Sequence, residues 1–204
     1  SYVVLAMNAQ NVTSPNGKLS VTTTDNRLVI SYDKQKTLEL ADVPFSKLEL
    51  ANKVTTNYKM LEGKRLHCTN EANEYQASIG KDAKIVMRLY NDGIAFRYEY
   101  TNLKNQKHPE ENNVYMIPEG TKRWFMQWAE SYEGFFPQNT TYKETPVPSF
   151  SGVSKSADGW CNRWAYPALI EPADGVFALI SEANIERRQS ASSLYIARSE
   201  VRRV

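Results

Sequence analysis

Along most of this chain apolar and polar residues alternate with a period of two. Ile85, Met87 and Leu89 alternate with Lys84, Val86 and Arg88. After Asn91-Asp92-Gly93, Ile94, Phe96, Tyr98 and Tyr100 fall on one face, and Ala95, Arg97 and Glu99 on the other. Period two puts successive side chains on opposite faces of a strand. The segment LYNDGIAFRYEY, residues 89–100, therefore predicts a half-buried antiparallel hairpin. Asp92-Gly93 is expected to supply the positive φ angles of a tight turn. Ile94, Phe96 and Tyr98 are expected to face inward together.

The same pattern recurs upstream. SPNGKLSVTTT opens on a Pro-Asn-Gly turn and continues with Leu19, Val21 and Thr23 on one face. Asp25-Asn26 reads as a turn, and RLVISY then places Leu28, Ile30 and Tyr32 together. Asp33 to Lys36 is a further polar turn before the short strand TLEL. Strands about 8–12 residues apart with turn chemistry between them predict an all-β sandwich or barrel.

Downstream the signals thin out. Residues 104–113 are polar and loop-like, and residues 137–158 carry Pro146, Pro148, Ser149, Ser151 and Gly152 with no hydrophobic period. A connection that long is usually functional or mobile. Between them, TKRWFMQWAESYEGFF places Trp124, Trp128 and Tyr132 at i, i+4 and i+8, the one stretch compatible with a short helix. WAYPALIE aligns Trp164, Tyr166, Ala168 and Ile170, with Pro167 marking an edge or a strand start. Asp174-Gly175 then turns into the strand VFALIS.

Composition adds bounds. The chain has 204 residues, 41% of them hydrophobic, enough for a proper core. The 25 basic and 23 acidic residues leave a formal charge of +2, which gives no reason to expect nucleic acid or an anionic membrane surface as partner. No apolar run is long enough to span a bilayer as a helix. Cys68 and Cys161 sit in no metal-type spacing, and nothing in the sequence implies that they pair. The opening VVLAMNAQ, within residues 1–10, reads either as the back end of a secretory signal peptide or as a first β-strand. The domain is then expected over residues 11–204. The chain stops at Val204 inside basic, strand-like sequence, which reads as a cut rather than a natural end.

No local catalytic constellation stands out: His67 and His108 are isolated, and no GxSxG, HExxH or phosphate-binding loop is present. The carboxylates say more. Glu182 closes the apolar strand VFALIS, with Asn184 two residues on. Such oxygens suit a hard cation such as calcium, although a strand-end glutamate also simply faces solvent. Glu130 and Glu133 lie amid Trp128, Tyr132 and Phe135. Carboxylates interleaved with aromatics suit a carbohydrate-lined cleft, and equally a core with rim charges.

Three blocks in order, SPNGKLSV (14–21), LYNDGIAFRYEY (89–100) and YPALIEPADGVFALISEANI (166–185), resemble the amino-terminal domain of glycoside hydrolase family 97, the α-glucosidases and α-galactosidases typical of gut Bacteroidetes. The region VPFSKLEL, with Lys47, departs from the family's pattern of small residues. The resemblance implies a β-super-sandwich similar to galactose mutarotase, and a catalytic (β/α)₈ barrel after residue 204 that carries the catalytic carboxylates. No catalytic residue is then expected in this chain. The domain would pack on the barrel and complete its substrate pocket, with Trp128, Tyr132 and Trp164 the candidate sugar contacts. It would also donate a glutamate to a calcium site, with Glu182 the best match and Glu133 the reserve. Export to the periplasm or outside the cell fits the signal-like start. Two other readings compete: a free-standing carbohydrate-binding module using Trp124, Trp128, Trp160 and Trp164 as a stacking platform, and a mutarotase-like epimerase, which wants a Glu/His pair that neither histidine here provides.

Overall fold

The computed structural model describes residues 9–24, 26–45, 47–101, 113–128, 134–141, 163–183, 193–197 and 200–203. Their regular structure consists of antiparallel β-strands, as expected of an all-β chain. Of the signal-like residues 1–10, residues 1–8 lie outside the description, and Gln10 opens the first strand. The chain divides into two compact units, Ser1–Lys36 with Asp42–Pro109 and Thr37–Ala41 with Glu110–Val204.

The first unit is a two-layer sandwich. One layer is β1 (Gln10–Thr13), β2 (Leu19–Thr24) and β3 (Arg27–Tyr32), joined as β1-β2-β3. Chain reversal after β3 is made by Asp33 and Lys34, with φ of 47° and 68°. That pair of left-handed residues is the geometry of a two-residue hairpin turn, and it leads into β4 (Gln35–Ala41). The other layer runs in order β5 (Glu49–Lys59), β6 (His67–Ile79), β7 (Ala83–Tyr90) and β8 (Ile94–Tyr100).

The core of this unit follows the alternation. Leu19, Val21 and Leu28 from one layer and Ala72, Tyr75, Ile85, Met87 and Leu89 from the other are buried. Each Leu, Val, Ile or Met among them contributes roughly 1.5–3 kcal/mol by leaving water. Polar stitches fix how the layers sit: the Tyr75 hydroxyl and the Asn73 Nδ2 both donate to the Thr13 carbonyl, at 2.9 and 2.8 Å. The Gln10 amide brackets Leu48, donating to its carbonyl at 2.6 Å and accepting from its N–H at 2.7 Å.

The β7–β8 hairpin forms in the expected register, with Ile85↔Tyr98, Met87↔Phe96 and Leu89↔Ile94. Two details differ from the sequence reading. Ile94, Phe96 and Tyr98 do share the inward face, but they are only half-buried, because β8 is the last strand of its sheet. Asp92-Gly93 also adopts no positive φ. The Leu89↔Ile94 pair closes a four-residue connection in which the Tyr90 N–H donates to the Gly93 carbonyl at 2.8 Å, so the turn is not forced into the left-handed region. Asn91 instead accepts from the Asn16 N–H at 3.0 Å, tying this turn to the Pro15-Asn16-Gly17 turn.

In β5–β6 the pairing outruns the sheet. β6 pairs with β7 only from Ala72↔Tyr90 to Ile79↔Ala83. Beyond that, among the described residues, β5 and β6 pair only with each other, from Thr55↔Glu71 to Lys59↔His67. This two-stranded arm extends for about 15 Å at the usual rise per strand residue.

In the second unit, Glu39, Leu40 and Ala41 of β4 pair with β9 (Val114–Met116), and the sheet continues through β16 (Glu200–Arg203) and β15 (Leu194–Ala197) to β12 (Arg163–Trp164). A four-stranded sheet runs in order β11 (Gln138–Asn139), β10 (Lys122–Trp124), β13 (Ala168–Ala173) and β14 (Val176–Ile180). Leu40, Val114, Phe125, Trp164, Ala168, Ile170, Ile180 and Leu194 are buried here.

The short helix expected around Trp124 is not what its described residues form. Trp124 is a strand residue, paired with Leu169 on one side and Gln138 on the other. Two ladders outweigh a chance i, i+4 coincidence of aromatic residues. WAYPALIE likewise breaks into β12 and β13 around Pro167, whose ring nitrogen has no hydrogen to donate to a ladder.

Candidate functional site

Two of the aromatic candidates, Trp128 and Trp164, lie together where the chain leaves β10 and enters β12. Ala165 N–H donates to the Met126 carbonyl at 3.0 Å and Trp128 N–H to the Arg163 carbonyl at 2.9 Å, with a bridge pairing Gln127 and Trp164. This local ladder sets the two tryptophans in different surroundings.

Trp164 points into the core. It is 2% exposed and meets the Phe125 ring edge-on at a centroid distance of 5.9 Å. That packing makes it a structural aromatic, not an open platform for a sugar ring. Trp128 is half-buried, and the Arg163 guanidinium lies over its ring, 4.0 Å from the centroid. The Arg163 Nε–H donates to the Ser193 hydroxyl at 2.7 Å, and Ser193 is fully buried. The cation is thereby held over the indole, an arrangement that combines an apolar face with directional N–H donors. Arg163 and Ser193 escape a reading of the sequence because they meet only through pairing of strands distant in the chain. Tyr132, Glu133, Glu130 and Trp160 lie outside the described residues.

Arg123 was also not apparent in the sequence. It is 5% exposed, and it donates through Nη2 to the carbonyls of Pro118 and Thr140, at 3.2 and 3.1 Å, and through Nε to that of Thr121 at 3.3 Å. A buried cation that caps carbonyls from two connections is a brace, holding the strand that delivers Phe125 to Trp128.

Glu182 lies two residues beyond the end of β14, half-buried between the exposed Ser181 and Ala183. Asn184, its expected companion, lies outside the description. Among the described residues no group of three or more His, Cys, Asp or Glu side chains converges. Calcium takes about 6–8 oxygens. The described residues therefore fit calcium only as contributors of one carboxylate, not as a complete site. His67 is exposed on β6, and Cys68 beside it is half-exposed.

On the outer side of the four-stranded sheet, Lys122 Nζ donates to the Glu171 carboxylate at 2.9 Å. Glu171 also accepts from the Gly175 N–H at 3.0 Å. The Lys122 ammonium, and then that N–H, hold the Glu171 carboxyl below its usual range, and the carboxylate raises Lys122 in turn.

Compared with known protein families, residues 12–196 match the family described as Glycosyl-hydrolase 97 N-terminal. The chain belongs to this family. No curated relative matches this family 97 domain in sequence. Solved structures do match in fold. A β-arabinopyranosidase superposes with a TM-score of 0.65 at 17% identity, covering 95% of this chain and 34% of the other. A glycoside hydrolase family 97 enzyme from Pseudoalteromonas sp. strain K8, in complex with acarbose, gives 0.65 at 15% identity, covering 96% of this chain and 31% of that one. The E480Q form of that enzyme with panose gives 0.65 at 15% identity. The family 97 domain thus spans about a third of the length of these structures.

Proposed function

We propose that this chain is the non-catalytic amino-terminal domain of a calcium-dependent, exo-acting α-glycosidase. It packs against a catalytic barrel, completes the substrate pocket and lends a carboxylate to the metal site. The observation that carries the reading is the family match over residues 12–196, on a fold that recurs within larger glycosidases. Glycoside hydrolysis calls for two carboxyl groups at a defined separation, and these are assigned to the barrel. Calcium, when bound, would order the substrate and polarise the leaving group's surroundings. Glu182 is the residue of this chain assigned to hold it, with Glu133 in reserve. Trp128, steadied by Arg163, is the assigned sugar contact, with Tyr132 beside it in sequence. Export to the periplasm or beyond is part of the same reading.

The test is calorimetric calcium titration of the polypeptide in which this domain is followed by its catalytic barrel, alongside the Glu182→Gln variant. Glu182→Gln is expected to keep the fold and weaken both calcium binding and activity, because one of about 6–8 oxygen ligands loses its charge. Unchanged calcium affinity would remove Glu182 from the site and pass the role to Glu133. The 204-residue domain by itself is expected to bind the ion weakly or not at all.

A further inference from the structure

The outer face of the sheet β11-β10-β13-β14 is apolar where solvent meets it. Trp124, Leu169 and Leu179 are cross-strand neighbours, Trp124↔Leu169 on one side and Leu169↔Leu179 on the other. The Trp124 and Phe177 rings approach to 6.0 Å between centroids, over the intervening β13. Alternation along β14 sends Ile180 to the core and Phe177 and Leu179 outward, 56% and 64% exposed. Phe135 and Phe136, in the segment leading into β11, are 91% and 44% exposed. All the large exposed apolar side chains described in the second unit therefore belong to this one sheet or its lead-in. The Lys122–Glu171 ion pair borders the row on the same face. A contiguous apolar patch with a polar border marks a surface that another body covers.

We propose that this face, centred on Trp124, Leu169, Phe177 and Leu179, is the docking surface for the catalytic domain. The inference rests on the function proposed above and adds to it which side of the domain is covered. Two observations select the occupant. The matched structures extend well beyond the region this chain covers, which is 34% and 31% of their length, so a larger body accompanies the same fold in each. The border charges, meanwhile, are satisfied within the face: Lys122 and Glu171 neutralise one another. The face thus offers apolar area bordered by a neutralised ion pair, with Asp174 exposed at the β13–β14 turn, which suits a large apolar counterpart in the same polypeptide.

Hydroxyl-radical footprinting read by mass spectrometry tests this without altering a residue. The 204-residue domain is compared with the polypeptide that continues into the catalytic domain. Oxidation of Phe177 and Leu179 is expected to fall about tenfold in the longer protein, because the centre of an interface excludes water. Leu61, 95% exposed at the tip of the β5–β6 arm, serves as the unaltered reference. Equal oxidation of Phe177 and Leu179 in the two proteins would overturn the docking face. So would protection that rises with the concentration of the short domain, since a second copy would then be the occupant. Hydrolysis of aryl α-glycosides by the longer protein separates the two levels of failure. An active but unprotected protein sinks only the docking face, whereas a protected but inactive one sinks the proposed function.

Discussion

At the scale of single residues, depth decides more than face. Met87 and Phe96 are cross-strand partners on the same face, yet Met87 is 1% exposed while Phe96 is half-buried on a terminal strand. Truncation of Met87 to alanine is expected to destabilise by about 2–5 kcal/mol. Phe96→Ala leaves a site that water already reaches, and is expected to cost only about 1–2 kcal/mol, including its edge-on contact with Tyr98. Urea unfolding of the two variants checks the order. A larger loss at Phe96 would mean that β8 is covered by something else. Arg123 presents the opposite case, a polar residue with a core position. Arg123→Met keeps the volume but strands the carbonyls of Thr121, Pro118 and Thr140. A loss of about 2–4 kcal/mol is expected in the same assay.

Between elements, an ion pair that crosses the strands of the β7–β8 hairpin, joined by a second along β8, leaves a pH signature. Lys84 lies 3.0 Å from Glu99, and Arg97 donates to the same carboxylate. Lys84 first, and then Arg97, hold the Glu99 carboxyl below the usual glutamate range. A carboxyl lowered in the folded state adds stability that is fully present above its unfolded pKa of about 4.3 and is lost as pH falls through the lower folded value. Both partners are about one-third exposed, so the contribution is screened to about 0.2–1 kcal/mol. Glu99→Gln is therefore expected to be slightly less stable than the parent at pH 7 and equal to it near pH 2, about two units below the ordinary glutamate value. Denaturant midpoints across that range check the convergence. A difference that persists undiminished in acid would assign the effect to packing.

Much of this scale was legible beforehand. The strands around Leu19–Val21, Leu28, Ile85–Leu89 and Ile94–Tyr98 follow from alternation alone, since one buried face requires it. The signal failed at Trp124, where aromatic spacing suggested a helical turn and the ladders to Leu169 and Gln138 made a strand. It failed again at Asp92-Gly93, where a longer connection removed the need for left-handed residues. At Asp92-Gly93 the register of the local hairpin decided; at Trp124 local sequence states a preference, and pairing with distant strands decides. The same limit hides the stacking of Arg163 on Trp128 and the burial of Trp164, because partners in space are not neighbours in the chain.

For the molecule as a whole, the family match over residues 12–196 makes this a glycosyl-hydrolase 97 amino-terminal domain. The 204-residue chain alone is expected to show no hydrolysis of aryl α-glucosides or α-galactosides. Turnover by a pure sample, abolished by replacing one of its own carboxylates, would overturn that assignment. The order of three sequence blocks was enough to place the family. Nothing in those blocks could show whether the described residues bring three or more His, Cys, Asp or Glu side chains together, because convergence is set by strand pairing.

The β5–β6 arm carries one more consequence. From Thr55↔Glu71 outward its strands have only each other, and a lone two-stranded ribbon is marginal in water. Its tip holds Lys64 and Arg65, both exposed, in a connection that bears no core side chain. Brief trypsin treatment should therefore nick the polypeptide there first. The ladder from Glu49↔Gln76 to Val54↔Ala72 would then keep the severed halves together until denaturant parts them. Native and denaturing gels of the digest would display the difference: one band in the first, two fragments in the second. In this domain, covalent continuity at the arm tip and integrity of the sandwich are separable properties.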